Sequence, residues 1–154
     1  MHQERAPTRP QRRPPGNVFR LEGEYWTIAY GDALYRLRNT AGLRCLAYLL
    51  RRPGDKVAAT ELARIACTPN GRRGGPEQRR TTRPEHARRG RPARLGMARH
   101  AELARVKTTR SIRAAMQRIG AHDASLITHL RATIKTGVLC SYSPDPRLPV
   151  EWTF

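Results

Sequence analysis

Arg110, Arg113 and Gln117 stand at i, i+3 and i+7 in a stretch that also carries Ile112, Ala115, Met116 and Ile119. At about 100° per residue the four apolar residues share one stripe of a helix, and the two arginines and the glutamine fall on the opposite side. One face can then enter a core while the other offers two guanidinium forks and an amide. Those are the groups that read a major groove, Arg on guanine and Gln on adenine. The plainer alternative is a basic face that is only solvated. No nucleophile–base pair, paired carboxylates or metal-ligand spacing competes with this stretch, so the sequence does not read as an enzyme.

Neighbouring residues must position that helix. Thr108 or Thr109 supplies a cap oxygen, and Gly120 ends the helix. Leu103 and Val106 fall off the Ile112 stripe. The expectation is therefore a separate turn over 101–107, or a helix starting near Thr108. Asp123 caps a last helix in which Leu126, Ile127, Leu130 and Ile134 recur at helical spacing, with Gly137 as its stop. Val138–Tyr142 then reads as a strand, Ser143–Pro146 as a turn, and Val150, Trp152 and Phe154 as the alternating positions of a closing strand. Together they predict a C-terminal hairpin.

Upstream, Phe19 and Leu21 alternate with polar neighbours, and Glu22–Glu24 reads as a turn. Trp26, Ile28 and Tyr30 fall on one face of a second strand, with Tyr25, Thr27 and Ala29 on the other. Gly31-Asp32 is a two-residue hairpin signal, and Leu34–Leu37 returns as a third strand. Asn39 or Thr40 caps a helix with Leu43, Leu46, Ala47 and Leu50 inward and Arg44, Arg51 and Arg52 at its solvent side or C-terminal end. Pro53-Gly54 stops it. Thr60 caps a short helix that turns Leu62, Ile65 and Ala66 inward.

The chain has 154 residues and a formal net charge of +18, from 30 basic and 12 acidic residues. A field of that sign favours nucleic acid or another polyanion as partner. The basic set is 27 Arg and 3 Lys, and arginine suits phosphate and base recognition. Residues 1–16 hold almost no apolar side chain and read as a disordered basic tail. Residues 68–98 read as a disordered Arg/Gly/Pro-rich insertion in a domain spanning 17–154, because 68–105 carries eleven Arg against three acidic residues and long loops in compact domains are uncommon. The Gly71–Gly75 part of it could bind RNA. Cys45, Cys67 and Cys140 are odd in number, widely spaced and without a Cys-x-x-Cys pair, so no zinc site or disulfide framework is expected. No metal or cofactor is expected, no apolar run reaches the roughly 18 residues of a membrane span, and the N-terminus has no secretory core, so the expected location is the cytoplasm.

The order of strands, helix, helix, basic helix and hairpin resembles a winged helix-turn-helix domain of the response-regulator output type. Glu24–Tyr30, Gly42–Leu50, Pro53-Gly54, Ala104–Val106, Thr109–Arg113 and Thr136-Gly137 through Ser141–Arg147 resemble, more closely, a winged-helix-like module of bacterial multidomain ATPases and regulators. The likeness covers roughly 18–67 and 98–154. The family carries a long charged segment between its halves where this chain has the Arg/Gly/Pro run. No glycine loop ending in Lys-Ser or Lys-Thr is present. The resemblance implies an α+β winged helix-turn-helix with an N-terminal antiparallel meander and a C-terminal hairpin wing. It also implies that Arg110, Arg113 and Gln117 face the major groove, that Lys107 and Arg118 sit at its edges, and that the Ser143–Arg147 turn brings Arg147 to the adjacent backbone. The function so implied is non-enzymatic DNA binding in transcription regulation. The alternative is a module that docks a regulatory protein or a second copy of itself.

Overall fold

A computed structural model describes residues 16–68 and 92–154. Most of the 1–16 tail and of the 68–98 insertion therefore lies outside the described residues. Within them the chain is α+β, with four helices and two small sheets.

The first sheet begins with β1 (Asn17–Glu22), β2 (Tyr25–Tyr30) and β3 (Ala33–Arg38) as an antiparallel meander. Gly23 and Gly31 turn its corners at φ 63° and 53°, backbone that glycine adopts without steric cost. Pairing sets Phe19 beside Ile28 and Ile28 beside Tyr35, and Phe19, Trp26 and Ile28 are buried. The core uses the Trp26–Ile28 face of β2, while Ala29 is buried on the opposite one.

Thr40 caps α1 (Ala41–Leu50), its hydroxyl accepting from the Leu43 N–H. Asn39 instead accepts from the Trp26 indole N–H at 2.9 Å. Helix α1 is buried almost all round, through Gly42, Leu43, Cys45, Leu46, Ala47, Leu49 and Leu50, as befits a helix covered on several sides. Arg44 departs from the expected solvent position. It is half-buried and donates to the Ala66 carbonyl in the last turn of the next helix, supplying an acceptor-rich helix end with a cation.

A short strand that the periodicity does not reveal, β4 (Lys56–Ala58), follows α1 and leads directly into α2 (Ala59–Cys67). Thr60 lies inside α2 and does not cap it. The cap position is Ala58, without a side-chain bond, and the Ala59 N–H is met by the Val138 carbonyl at 2.9 Å.

The largest departure is α3, one continuous helix over Pro92–Gly120. Residues 101–107 are not a separate turn, Thr108 is not a cap, and 92–98 is helical. The buried stripe continues backward from Ile119 and Ile112 through Thr108 and Ala104, residues too small or too polar to register as an apolar period. Thr108 donates from its buried hydroxyl to the Ala59 carbonyl at 3.1 Å. Residues 94–103 are exposed throughout, so the first turns of α3 project from the body.

Asp123 caps α4 (Ala124–Thr133), its carboxylate accepting from the Leu126 N–H at 2.9 Å. Helix α4 ends before Gly137, because β5 (Ile134–Lys135) begins at once. Strand β6 (Leu139–Tyr142) pairs with β5 on one side and β4 on the other, giving the sheet order β4-β6-β5. Strand β7 (Trp152–Thr153) does not close a hairpin on β6 as the alternation suggested. It crosses to the first sheet and runs parallel to β1, with Asn17 opposite Trp152. Phe19 explains the attraction: its ring meets Trp26 at 5.2 Å and the Trp152 edge at 6.1 Å. One hydrophobic cluster unites both sides of the 69–91 segment, joining Phe19, Leu46 and Leu62 to Ile112, Ile119, Leu130 and Tyr142.

Helix α1 lies directly against the backbone of α3 at Gly42. A Cβ at Gly42 would lie 2.6 Å from the Ser111 carbonyl carbon and 2.8 Å from the Ala115 Cβ. Gly96, also helical, has nothing within 4 Å. Alanine is ordinarily better than glycine in a helix by about 1 kcal/mol, so the two sites should respond with opposite sign. Gly42→Ala should lower the denaturation midpoint, with a loss toward the upper end of the about 1–3 kcal/mol typical of overpacking. Gly96→Ala should raise the helical circular-dichroism signal. Equal stabilisation by both changes would rule out the close crossing.

The crossover also leaves a titratable group in an aromatic cage. His129 stacks on Tyr30 at 5.7 Å, and Tyr30 stacks on Trp152 at 5.8 Å. The Trp152 indole N–H donates to the Tyr142 hydroxyl oxygen at 3.2 Å, and that hydroxyl lies 3.0 Å from His129 Nε2. Tyr142 thus has its proton free to give to Nε2 of a neutral His129. Burial holds the His129 pKa below its ordinary 6.5. The unfolded chain therefore takes up this proton at higher pH than the folded chain does. Its contribution is fully present above about 6.5 and is lost as pH falls from there toward the folded value. The thermal midpoint, followed by tryptophan fluorescence, should fall between neutral and mildly acidic pH. His129→Gln, which can still accept from Tyr142, should flatten that fall; an unchanged fall in the variant would refute the assignment.

Candidate nucleic-acid interface

On α3 the buried positions Ala104, Thr108, Ile112, Ala115 and Ile119 define one side. Arg110, Arg113 and Gln117 are all exposed on the side about 180° away, as the helical period requires. Lys107 and Arg118 are exposed at the margin of the same face. All five therefore share one surface of one rigid element. No Asp or Glu occurs between Glu102 and Asp123. Glu102 is committed to Arg105 through two bonds of 2.5 and 2.8 Å, which hold its carboxyl below the ordinary carboxylate range. Asp123 is 6% exposed and occupied at the α4 cap. The face is thus left with uncompensated positive charge.

Arg147 is placed differently. It is exposed on the segment leading from β6 to β7, where its backbone N–H donates to Asp145 Oδ1 at 2.9 Å. Because β7 leaves for the first sheet, that turn is not the tip of a hairpin. The hairpin that does follow the helices is β5–β6. Val138 and Leu139 at its turn are 71% and 52% exposed.

Helices α3 and α4 are joined by Ala121–Asp123, a turn held by N–H bonds from His122 and Asp123 to the Ile119 carbonyl at 2.9 and 2.8 Å. Gly120 lets the second helix approach, since a Cβ there would sit 3.3 Å from Ile127. The short turn brings the end of α4 back beside α3. Between them opens a cleft of about 360 Å³ lined by Arg113, Met116, Gln117, Arg131, Ile134 and Thr136. Periodicity identified Arg113 and Gln117, but not Arg131 or Thr136. Their only signal in the sequence is that Arg131 follows Leu130 at the margin of the α4 stripe. Met116, expected in the stripe, is half-buried against the core and also lines the cleft.

Of the three cysteines, Cys45 and Cys140 are buried and Cys67 is exposed. The Cys45 thiol is fully buried, and burial pushes its pKa up to about 12. Among the described residues, no three His, Cys, Asp or Glu side chains stand together as a metal site would require, and no helix is long and apolar enough to cross a membrane. Comparisons with protein-family models, curated proteins and solved structures found no match.

Proposed function

We propose that this chain is a non-enzymatic DNA-binding module of the winged helix-turn-helix kind, acting in transcription regulation. The observation that carries the reading is the row Arg110, Arg113 and Gln117, exposed on a helix whose other side is fixed in the core. A face fixed in that way presents its donors without ordering the backbone, so that only the side chains are immobilised on binding. Lys107 and Arg118 flank the row and supply phosphate contacts, which position but do not specify. Two helices joined by a short turn, followed by the β5–β6 hairpin beside β4, support the winged arrangement. With β7 elsewhere, the wing of this proposal is β5–β6, and Arg147 is a phosphate contact at its base. Arg131 of α4 adds a cation to the same surface. In a helix-turn-helix the second helix enters the groove while the first crosses the backbone, so Arg131→Ala, measured beside the α3 variants below, decides whether α3 or α4 reads the bases.

A second reading, a module that docks a protein partner or a second copy, has its own observation. Leu95, Met97 and Leu103 on the projecting part of α3 are 76%, 72% and 67% exposed. That segment is separate from the Arg110–Gln117 row, so the two readings predict different sensitive residues.

Anisotropy with selected and random duplexes at low and moderate salt separates them. Arg110→Ala, Arg113→Ala and Gln117→Ala should each reduce discrimination between the duplexes, by about 1–3 kcal/mol for a bidentate contact. Replacing the arginines of 72–91 by Gln should weaken both duplexes alike and flatten the salt dependence. Equal losses on both duplexes from the helix variants would leave α3 as an electrostatic surface that does not read bases.

A further inference from the structure

The cleft between α3, α4 and β5 shares Arg113, Gln117 and Arg131 with the proposed DNA surface, and adds a chemical asymmetry of its own. Met116 and Ile134 give it an apolar wall, while Arg113, Arg131, Gln117 and Thr136 bring two cations, an amide and a hydroxyl to the same space. Among the described residues neither Arg113 nor Arg131 has an ion-pair or hydrogen-bond partner, and no carboxylate lines the cleft. The carbonyls at the end of α4 oppose an anion, but a helix terminus carries only about half a charge. Two guanidinium groups outweigh it. The volume of about 360 Å³ falls in the range of small-ligand sites.

We propose that this cleft binds a phosphate monoester attached to a flat apolar group. Arg113 and Arg131 hold the phosphate, whose charge of nearly two above a pKa of about 6 matches theirs. Arginine also suits the geometry, because its fork takes two phosphate oxygens at once. The apolar group lies on Met116 and Ile134, and Gln117 and Thr136 bond the ester or its substituents. Internal phosphates of a duplex are diesters of single charge, so the preference goes beyond the proposed DNA reading and does not rest on it. Two sources offer the same chemistry, a free small phosphomonoester and the 5′-phosphate end of a nucleic-acid strand with its terminal base.

Phenyl phosphate is the probe, titrated into the full chain and followed by the methyl resonances of Met116 and Ile134. Saturable binding is expected, with those two methyls shifting. Arg131→Gln, a change at an exposed site, should weaken it by about tenfold or more. Arg94→Gln, exposed on the distant part of α3, should leave it unchanged. Phenol should not bind, and inorganic phosphate should bind more weakly without moving the methyls as far. Equal weakening by the two arginine variants would reduce the effect to the overall positive field and overturn the proposal. So would equal binding of phenol, or a titration that never saturates. Displacement of the probe by a 5′-phosphorylated single strand, and not by its unphosphorylated twin, assigns the strand end as source. Displacement by neither, with probe binding intact, assigns a free phosphomonoester. Random-duplex anisotropy on the wild type keeps this result apart from the DNA reading, since either can fail while the other holds.

Discussion

The approach of α1 to α3 at Gly42 governs the rest of this structure. Helix α1 is buried on nearly every side, so its neighbours must fit around it, and α3 can lie against it only where no side chain intervenes. Gly42 on one helix meets Ser111 and Ala115 on the other. Cores pack to near-crystalline density, so this contact fixes both the depth of α3 and its rotation. With Ala115 turned toward α1, Arg110, Arg113 and Gln117 have no orientation left except outward.

Polar contacts reinforce that placement from the far side. Thr108 ties α3 to the first residue of α2 through the Ala59 carbonyl, while the Ala59 N–H is held by Val138 at the β5–β6 turn. Arg44 reaches from α1 to the last turn of α2. Buried backbone groups need partners, and here the partners come from elements far apart in sequence. The basic face, the hairpin and α2 are thereby locked into one frame. The cleft at Arg113 and Arg131 is a product of that frame, since its two cations come from different helices.

The C-terminal strand solves a separate problem. Strand β1 has β2 on one side, and its other edge would expose unpaired backbone groups and the Phe19 ring. Parallel pairing with β7 covers that edge, and Trp152 completes an aromatic cluster with Phe19, Tyr30 and, through its hydrogen bond, Tyr142. Arg51 then lies over the ring of Phe154 at 4.7 Å, a contact that ties the residue after β7 to the end of α1. The β5–β6 hairpin is left without β7 and takes β4 as its third strand.

Much of this was legible in the sequence because it is local. Thr40 and Asp123 cap the helices they precede, glycine turns join β1 to β2 and β2 to β3, and the Ile112–Ile119 period sets which residues of α3 face out. Each depends on neighbours within a few positions, where propensity and periodicity act. What only the tertiary structure decided involves partners distant in the chain. The helical stripe continues through Ala104 and Thr108, which carry little apolar signal but suit a close approach. Alternation in Val150–Phe154 announces a strand without naming its partner, and the open edge of β1 takes it rather than β6. Lys56–Ala58 is too short for any period to appear, and it becomes a strand because β6 offers it a ladder. Arg131 sits beside Arg113 because Gly120 and a short turn fold α4 back on α3, a proximity that no spacing along the chain encodes.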